Sequence, residues 1–298
     1  MKFDFDKIVD RKHTNSLKWD VNPGELPLWV ADMDFETAPC IKEAIEKRAA
    51  NGIFGYSIVP DEWKISCMNW WKRRHGLEIL PECIIFCTGI VPAISSLVRK
   101  LTTPAEKVLL LTPCYNIFFN SIINNGRFPV ECPLDYNGTE YSINFERLEK
   151  ELSDPQVSMM ILCNPQNPTG NIWTKHELAK IGGLCKKYGV IVLSDEIHCD
   201  ITRPGKKYEP FAGASETCAE ISVSCVSPTK CFNIAGINSS AVIVKNPFLR
   251  HKVWRALNTD EIAEPNAFAI DATIAAVNHG EEWLDELNEY LFRNREYA

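Results

Sequence analysis

The sequence predicts an α/β domain built on a mainly parallel sheet. Three observations carry that prediction. Short runs rich in Val, Ile and Leu recur between residues 83 and 245 without polar alternation, as strands do when helices cover both faces of a sheet. Longer stretches of helix-forming residues separate them. Glycine, proline and hydrogen-bonding residues follow directly on four of the runs, and in such sheets ligands bind beyond the carboxyl ends of the strands.

The elements follow in order. Cys-Ile-Ile-Phe-Cys at 83–87 reads as a buried strand. Thr88-Gly89 turns the chain, and Pro92 suits the first turn of a helix over 92–101. A second strand is expected at 107–112, with a helix at 115–124 after it. The run 157–163 ends in the loop Asn164-Pro165-Gln166-Asn167-Pro168-Thr169-Gly170, whose composition specifies a rigid turn. A helix over 175–188 leads into a strand at 190–194, which delivers Asp195-Glu196-Ile197-His198. The strand at 221–226 delivers Ser227-Pro228-Thr229-Lys230, and a strand at 240–245 precedes a helix at 247–257. Near the end, Trp283, Leu284, Leu287 and Leu291 form one helical stripe that needs a partner surface.

Composition narrows the class. Hydrophobic residues make up 45% and charged residues 24% of the 298 positions, the profile of a soluble globular protein. A net charge of −7 argues against nucleic acid as the main partner, and Lys72-Arg73-Arg74 reads as a solvated helix face. No apolar stretch is long enough to span a bilayer, and the start lacks a secretory leader, so a cytoplasmic protein is expected. Twelve cysteines without a C-x-x-C pair read best as reduced, buried thiols behaving as small hydrophobes, with a structural zinc site as the lesser alternative. His13, His75, His176 and His279 read as surface residues, and Trp63, Trp70 and Trp71 as a helical core or interface face.

Four segments can carry chemistry. Asn167 stands at the tip of the 164–170 loop, which is also compatible with a plain turn. Asp195 arrives at the end of an apolar strand, where an unpaired carboxylate is costly and a protonated ring nitrogen would serve as partner; a helix cap or salt bridge would serve as well. Lys230 follows a buried strand and a hydroxyl pair, and desolvation makes such an amine a nucleophile towards carbonyls. The helix start at Gly89, Ile90 and Val91 offers backbone N–H groups to a phosphate.

Together these segments resemble the fold-type I pyridoxal 5′-phosphate (PLP) enzymes, the aspartate-aminotransferase fold with a seven-stranded type of sheet. The segment Leu26-Pro27-Leu28-Trp29-Val30-Ala31-Asp32-Met33-Asp34-Phe35, with Phe54-Gly55-Tyr56 and Asp195-Glu196-Ile197-His198-Cys199-Asp200, is similar to the MalY/PatB group of cystathionine β-lyases. The resemblance implies that Lys230 binds PLP covalently and moves the Cα proton. It implies that Asp195 pairs with the pyridine nitrogen, Asn167 with the ring's 3′ oxygen, and His198 lies near that oxygen. Tyr115 would stack on the ring. Gly89, Ile90 and Val91 would hold the phosphate, with hydroxyls from Ser227 and Thr229. Tyr56 would reach the neighbouring subunit's cofactor, which implies a homodimer with a shared site.

The implied reaction is α,β-elimination of S-substituted L-cysteines to thiol, pyruvate and ammonia. An aminotransferase and a non-catalytic PLP-binding regulator are the alternatives. Many aminotransferases carry a phosphate-binding arginine eight residues after the lysine; Asn238 stands there, and the lyase group often lacks that arginine too. The expected organisation is an N-terminal segment at 1–50, a large PLP-binding domain at 51–257, and an interdomain helix with the start of a small domain at 258–298. Arg293 and Arg295 do not match the substrate-carboxylate arginine of relatives, so that small domain is expected to be incomplete.

Overall fold

The computed structural model describes residues 2–298. Helices α1 (Pro39–Ala50) and α2 (Asp61–His75) precede strand β1 (Ile84–Cys87), and α3 (Ile90–Leu101) follows it. Strand β2 (Lys107–Thr112), helix α4 (Ile117–Ile123) and strand β3 (Phe128–Pro133) come next. A small hairpin of β4 (Asp135–Tyr136) and β5 (Tyr141–Ser142) leads to α5 (Phe145–Leu152). Strand β6 (Val157–Cys163), helix α6 (Lys175–Tyr188) and strand β7 (Ile191–Asp195) continue the alternation. Two short helices, α7 (Phe211–Ala214) and α8 (Glu216–Ile221), run into β8 (Ser222–Val226). Strand β9 (Ser240–Ile243) and helices α9 (Pro247–Thr259), α10 (Ala269–His279) and α11 (Glu281–Tyr297) complete the order.

Seven strands form one sheet in the order β1-β9-β8-β7-β6-β2-β3. All pairings are parallel except those of β9, which runs antiparallel to both β1 and β8. The strands β1, β8, β7, β6 and β2 therefore point the same way. Their carboxyl ends share one edge, and the four segments singled out in the sequence all lie there.

The expected runs at 107–112 and 157–163 match β2 and β6. The edge strand β3 was not expected, because Pro129 and Pro133 interrupt the pattern. It hydrogen-bonds only to β2, and proline is tolerated where one side of a strand has no ladder to donate to. Helix α3 begins at Ile90, two residues before the expected start, because Pro92 fits anywhere in a first turn whose N–H groups have no partner within the helix. Helices α1, α2, α5 and α10 add cover that the sequence reading left unassigned or, for the tryptophans of α2, called core or interface.

Apolar side chains pack in three clusters. One lies between the sheet and α3, α4 and α9. A second lies on the other face under α5, α6 and α7. The third joins the N-terminal segment to α1, α2, α10 and α11. It buries Trp63, Trp70 and Trp71, and it supplies the partner surface of the α11 stripe: Trp283 packs against Phe5 at 5.6 Å and stacks on Phe232 at 5.9 Å. All twelve cysteines are free thiols, and all but Cys40 and Cys114 are buried. His75 departs from its expected surface position; its side chain is 7% exposed.

Helix α6 approaches α8 closely at Gly182. A Cβ there would lie 2.3 Å from Cys218 Sγ. Gly182→Ala should therefore destabilise the fold by roughly 1–3 kcal/mol through overpacking. Chemical denaturation should show that cost reduced when Cys218→Ala is added, since the clash is with the thiol.

Candidate active site

Asp195 is the last residue of β7 and is 6% exposed. Its Oδ1 accepts a hydrogen bond from the Ile197 amide at 3.1 Å. Burial pushes its carboxyl up to about 6, against the pull of the Ile197 amide and of Lys230. No cation forms an ion pair with it among the described residues.

Lys230 sits half-buried in the turn after β8. It has no carboxylate partner within ion-pair distance among the described residues, yet its charge is felt by both Asp195 and His198. Burial, reinforced by Lys230, pushes the half-buried His198 down to about 4, so its imidazole is neutral at physiological pH. Tyr115, on the turn after β2, is raised by burial and by the charge of Asp195. Long-range charge effects thus link Lys230, Asp195, His198 and Tyr115.

The loop after β6 is held from both sides. Asn164 N–H donates to the Asp195 carbonyl at 2.8 Å, and its side chain donates to the Glu209 carbonyl at 2.9 Å. Gln166 Nε2 donates to the carbonyls of Pro113 at 2.8 Å and Leu111 at 3.2 Å, tying the loop to the end of β2. Asn167 lies between these anchors, half-buried, with its side chain in no hydrogen bond among the described residues. At the end of β1, α3 starts with its first N–H groups, those of Ile90 and Val91, without partners, as a helix N-terminus must.

Ser227 and Thr229 are buried, and their hydroxyls lie 2.7 Å apart. Ser227 Oγ also donates to the Ser239 carbonyl at 2.7 Å. Ser227 thus spends its proton within the chain, which leaves Thr229 to donate to Ser227. Tyr56 stands apart: it is fully exposed and makes no hydrogen bond or ring contact among the described residues. Ile53, Phe54 and Ile58 around it are exposed as well.

Two features of the site escaped the sequence reading. The first is a clasp on the lysine turn. Asn233, at φ 55°, donates from Nδ2 to the carbonyls of Met33 (3.0 Å) and Phe35 (2.8 Å) and accepts the Met33 amide at 2.8 Å. Arg11 and Lys18 brace the clasped segment through Asp32 and Asp34. Lys230, Asn233, Met33 and Arg11 all line a cleft of about 560 Å³. Asn233→Ala removes three hydrogen bonds, each worth about 1 kcal/mol. It should loosen this wall of the cleft, raising KM more than it lowers kcat in steady-state kinetics.

The second is Glu196. It is wholly buried, and its Oε1 accepts a hydrogen bond from Ser224 Oγ at 2.9 Å. Burial pushes its carboxyl from 4.5 up to about 8, so it is neutral at pH 7 and leaves Asp195 as the negative charge of the strand end. A carboxyl raised in the folded state stabilises fully below its ordinary value and loses that contribution as pH climbs through the raised one. Glu196→Gln cannot ionise. Relative to wild type it should gain stability between about pH 4.5 and 8, by up to roughly 5 kcal/mol, in denaturation curves taken across that range.

The arrangement fits a phosphorylated pyridine aldehyde. A buried carboxylate without a cation awaits a ring N–H⁺, an amine without a counter-carboxylate awaits a carbonyl, and a helix start of twelve residues awaits a phosphate.

Residues 24–298 match the family of class I and II aminotransferases. The chain is 42% identical to cystathionine beta-lyase PatB of Bacillus subtilis, over 99% of this chain and 78% of that protein. It is 34% identical to protein MalY of Escherichia coli, over 99% of this chain and 77% of that one. The crystal structure of cystalysin from Treponema denticola, which contains a pyridoxal 5′-phosphate cofactor, superposes with a TM-score of 0.96 at 33% identity. That match covers 100% of this chain and 77% of cystalysin.

Proposed function

Because this chain belongs to the class I and II aminotransferase family, we propose that it is a PLP-dependent carbon–sulfur β-lyase of the cystathionine β-lyase type. The observation that carries the reading is the pairing of an amine at 230 without a carboxylate partner and a buried, cation-free carboxylate at 195. The likeness to PatB selects the lyase over the aminotransferase. The substrates are L-cysteines bearing a substituent on sulfur, and the products are a thiol, pyruvate and ammonia.

When bound, PLP supplies the electron sink that makes the substrate's Cα–H acidic. The residues of the chain do the rest. Lys230 is the residue that would hold the cofactor covalently, and its Nζ would take the substrate's Cα proton as general base, with the thiolate leaving from Cβ. Asp195 pairs with the protonated pyridine nitrogen in a site where burial strengthens the pairing. Asn167 would donate to the ring's 3′ oxygen, with neutral His198 beside it, and Tyr115 would stack on the ring. The amides of Gly89, Ile90 and Val91 would receive the phosphate; Thr229 could turn its hydroxyl to it by leaving Ser227, and Ser227 only by giving up its bond to the Ser239 carbonyl.

Tyr56 completes the site of a second copy in a homodimer, which accounts for an apolar, fully exposed strip around it. Residues 51–257 form the large cofactor-binding unit, flanked by 1–50 and 258–298. The abundance of buried free thiols favours the cytoplasm, and no helix among the described residues is long and apolar enough to cross a membrane.

Incubation with cystathionine in the absence of any keto-acid acceptor tests the reaction. A lyase releases pyruvate and a free thiol in equal amounts. Turnover that depends on an added keto acid would make the chain an aminotransferase instead.

A further inference from the structure

Apart from the residues assigned to the cofactor, a second group of donor side chains meets at the end of α2. His75 closes that helix, and Cys199 and Asp200 lie on the turn that follows β7. One potential ligand atom from each lies within 4.8 Å of the other two. His75 Nε2 stands 3.1 Å from Asp200 Oδ1, and both side chains are more than nine-tenths buried. The pair stands at ion-pair distance, but neither atom makes an aligned hydrogen bond among the described residues. The Tyr208 hydroxyl is buried without a partner too, its ring 5.0 Å from that of His75. His75, Cys199, Asp200 and Tyr208 all line one cleft of about 450 Å³.

Buried polar atoms left without partners are costly. Three of them meet at one place, beside the Cys199 thiol, whose own bond reaches only Asp200 Oδ2 at 3.7 Å, and together they call for a common ligand. Trp70 Nε1 donates to Asp200 Oδ2 at 3.2 Å, leaving Oδ1 directed at the site. Arg74 comes no closer to Asp200 than 3.9 Å and is itself engaged by Glu281 and Asp285. A thiolate and a carboxylate bring the two negative charges that cancel a divalent cation, and the imidazole adds a nitrogen donor. Nitrogen, sulfur and oxygen donors together suit zinc, and three protein ligands with a fourth position open is the pattern of zinc sites that keep a water or exchangeable ligand.

We propose that His75, Cys199 and Asp200 form a three-ligand zinc site whose fourth position faces the cleft beside Tyr208. The site lies directly after His198 in the chain, so a bound ion would also pin the turn that carries that residue. Cys199 would bind the ion as its thiolate. Binding releases the thiol proton to solvent, one per ion.

The test uses the holoenzyme, dialysed against a chelator and titrated with zinc chloride in two buffers of different ionisation enthalpy. The expected result is one ion bound and about one proton released per chain. Cys199→Ser and His75→Ala should each weaken binding at least tenfold, while Cys185→Ser, a buried thiol elsewhere, should not. Zinc X-ray absorption should show one sulfur neighbour at about 2.3 Å in the wild type and none in Cys199→Ser. Cys199→Ser is nearly isosteric and serves if His75→Ala fails to fold. Absence of stoichiometric binding, or binding left intact by both substitutions, would overturn the proposal.

Discussion

Replacing Lys230 with alanine should abolish covalent attachment of the cofactor and lower kcat by at least about 10³-fold, since one side chain serves as both attachment point and general base. The loss should not come from unfolding. Lys230 is only half-buried and makes no ion pair among the described residues, so its removal leaves no buried charge stranded. Lys230→Arg sharpens the comparison, because it keeps a cation near Asp195 and His198 but cannot make the covalent link. A second readout is independent of turnover. His198 is held down to about 4 by burial and then by Lys230. In Lys230→Ala its imidazole should titrate at higher pH, which NMR of the ring protons would register. An unmoved His198 would mean that the two side chains do not share one site.

Asp195→Asn should lower kcat by roughly 10²–10³-fold, the scale set by removing a preorganised charge from the point where a transition state needs it. The pH behaviour of cofactor binding separates this role from a structural one. Without cofactor the Asp195 carboxyl is raised to about 6, chiefly by burial. Below that pH it carries a proton that an ion pair with the ring nitrogen must displace. The affinity of the apoprotein for PLP should therefore fall as pH drops below about 6, by up to tenfold per unit, and level off above it. Asp195→Asn has no proton to displace and should show no such inflection. An identical inflection in the variant would assign the titration to the cofactor or to another residue.

Much of this site was legible because its parts are contiguous in sequence. Asn167, Asp195, His198 and Lys230 each follow a strand whose apolar character is plain, and the parallel order of β6, β7 and β8 brings their ends to one edge without further information. What stayed hidden depends on contacts between segments far apart. Asn233 lies 200 positions from Met33, and nothing in either segment announces the three hydrogen bonds between them. His75 looked like a surface residue because it ends a basic stretch. Its burial comes from Asp200, Trp71 and Tyr208, of which only Trp71 is nearby in the chain. Glu196 was read as part of a motif, yet its neutral state follows from complete burial without a cation, a property of packing alone. Strand β3 was lost to its prolines, which an edge position excuses.

Borohydride reduction of the PLP-saturated protein, followed by peptide mapping, addresses the assignment at its root. The prediction is a single modified peptide with the phosphopyridoxyl group on Lys230 Nζ. Label on a different lysine, or no label on a protein shown to bind PLP, would contradict it.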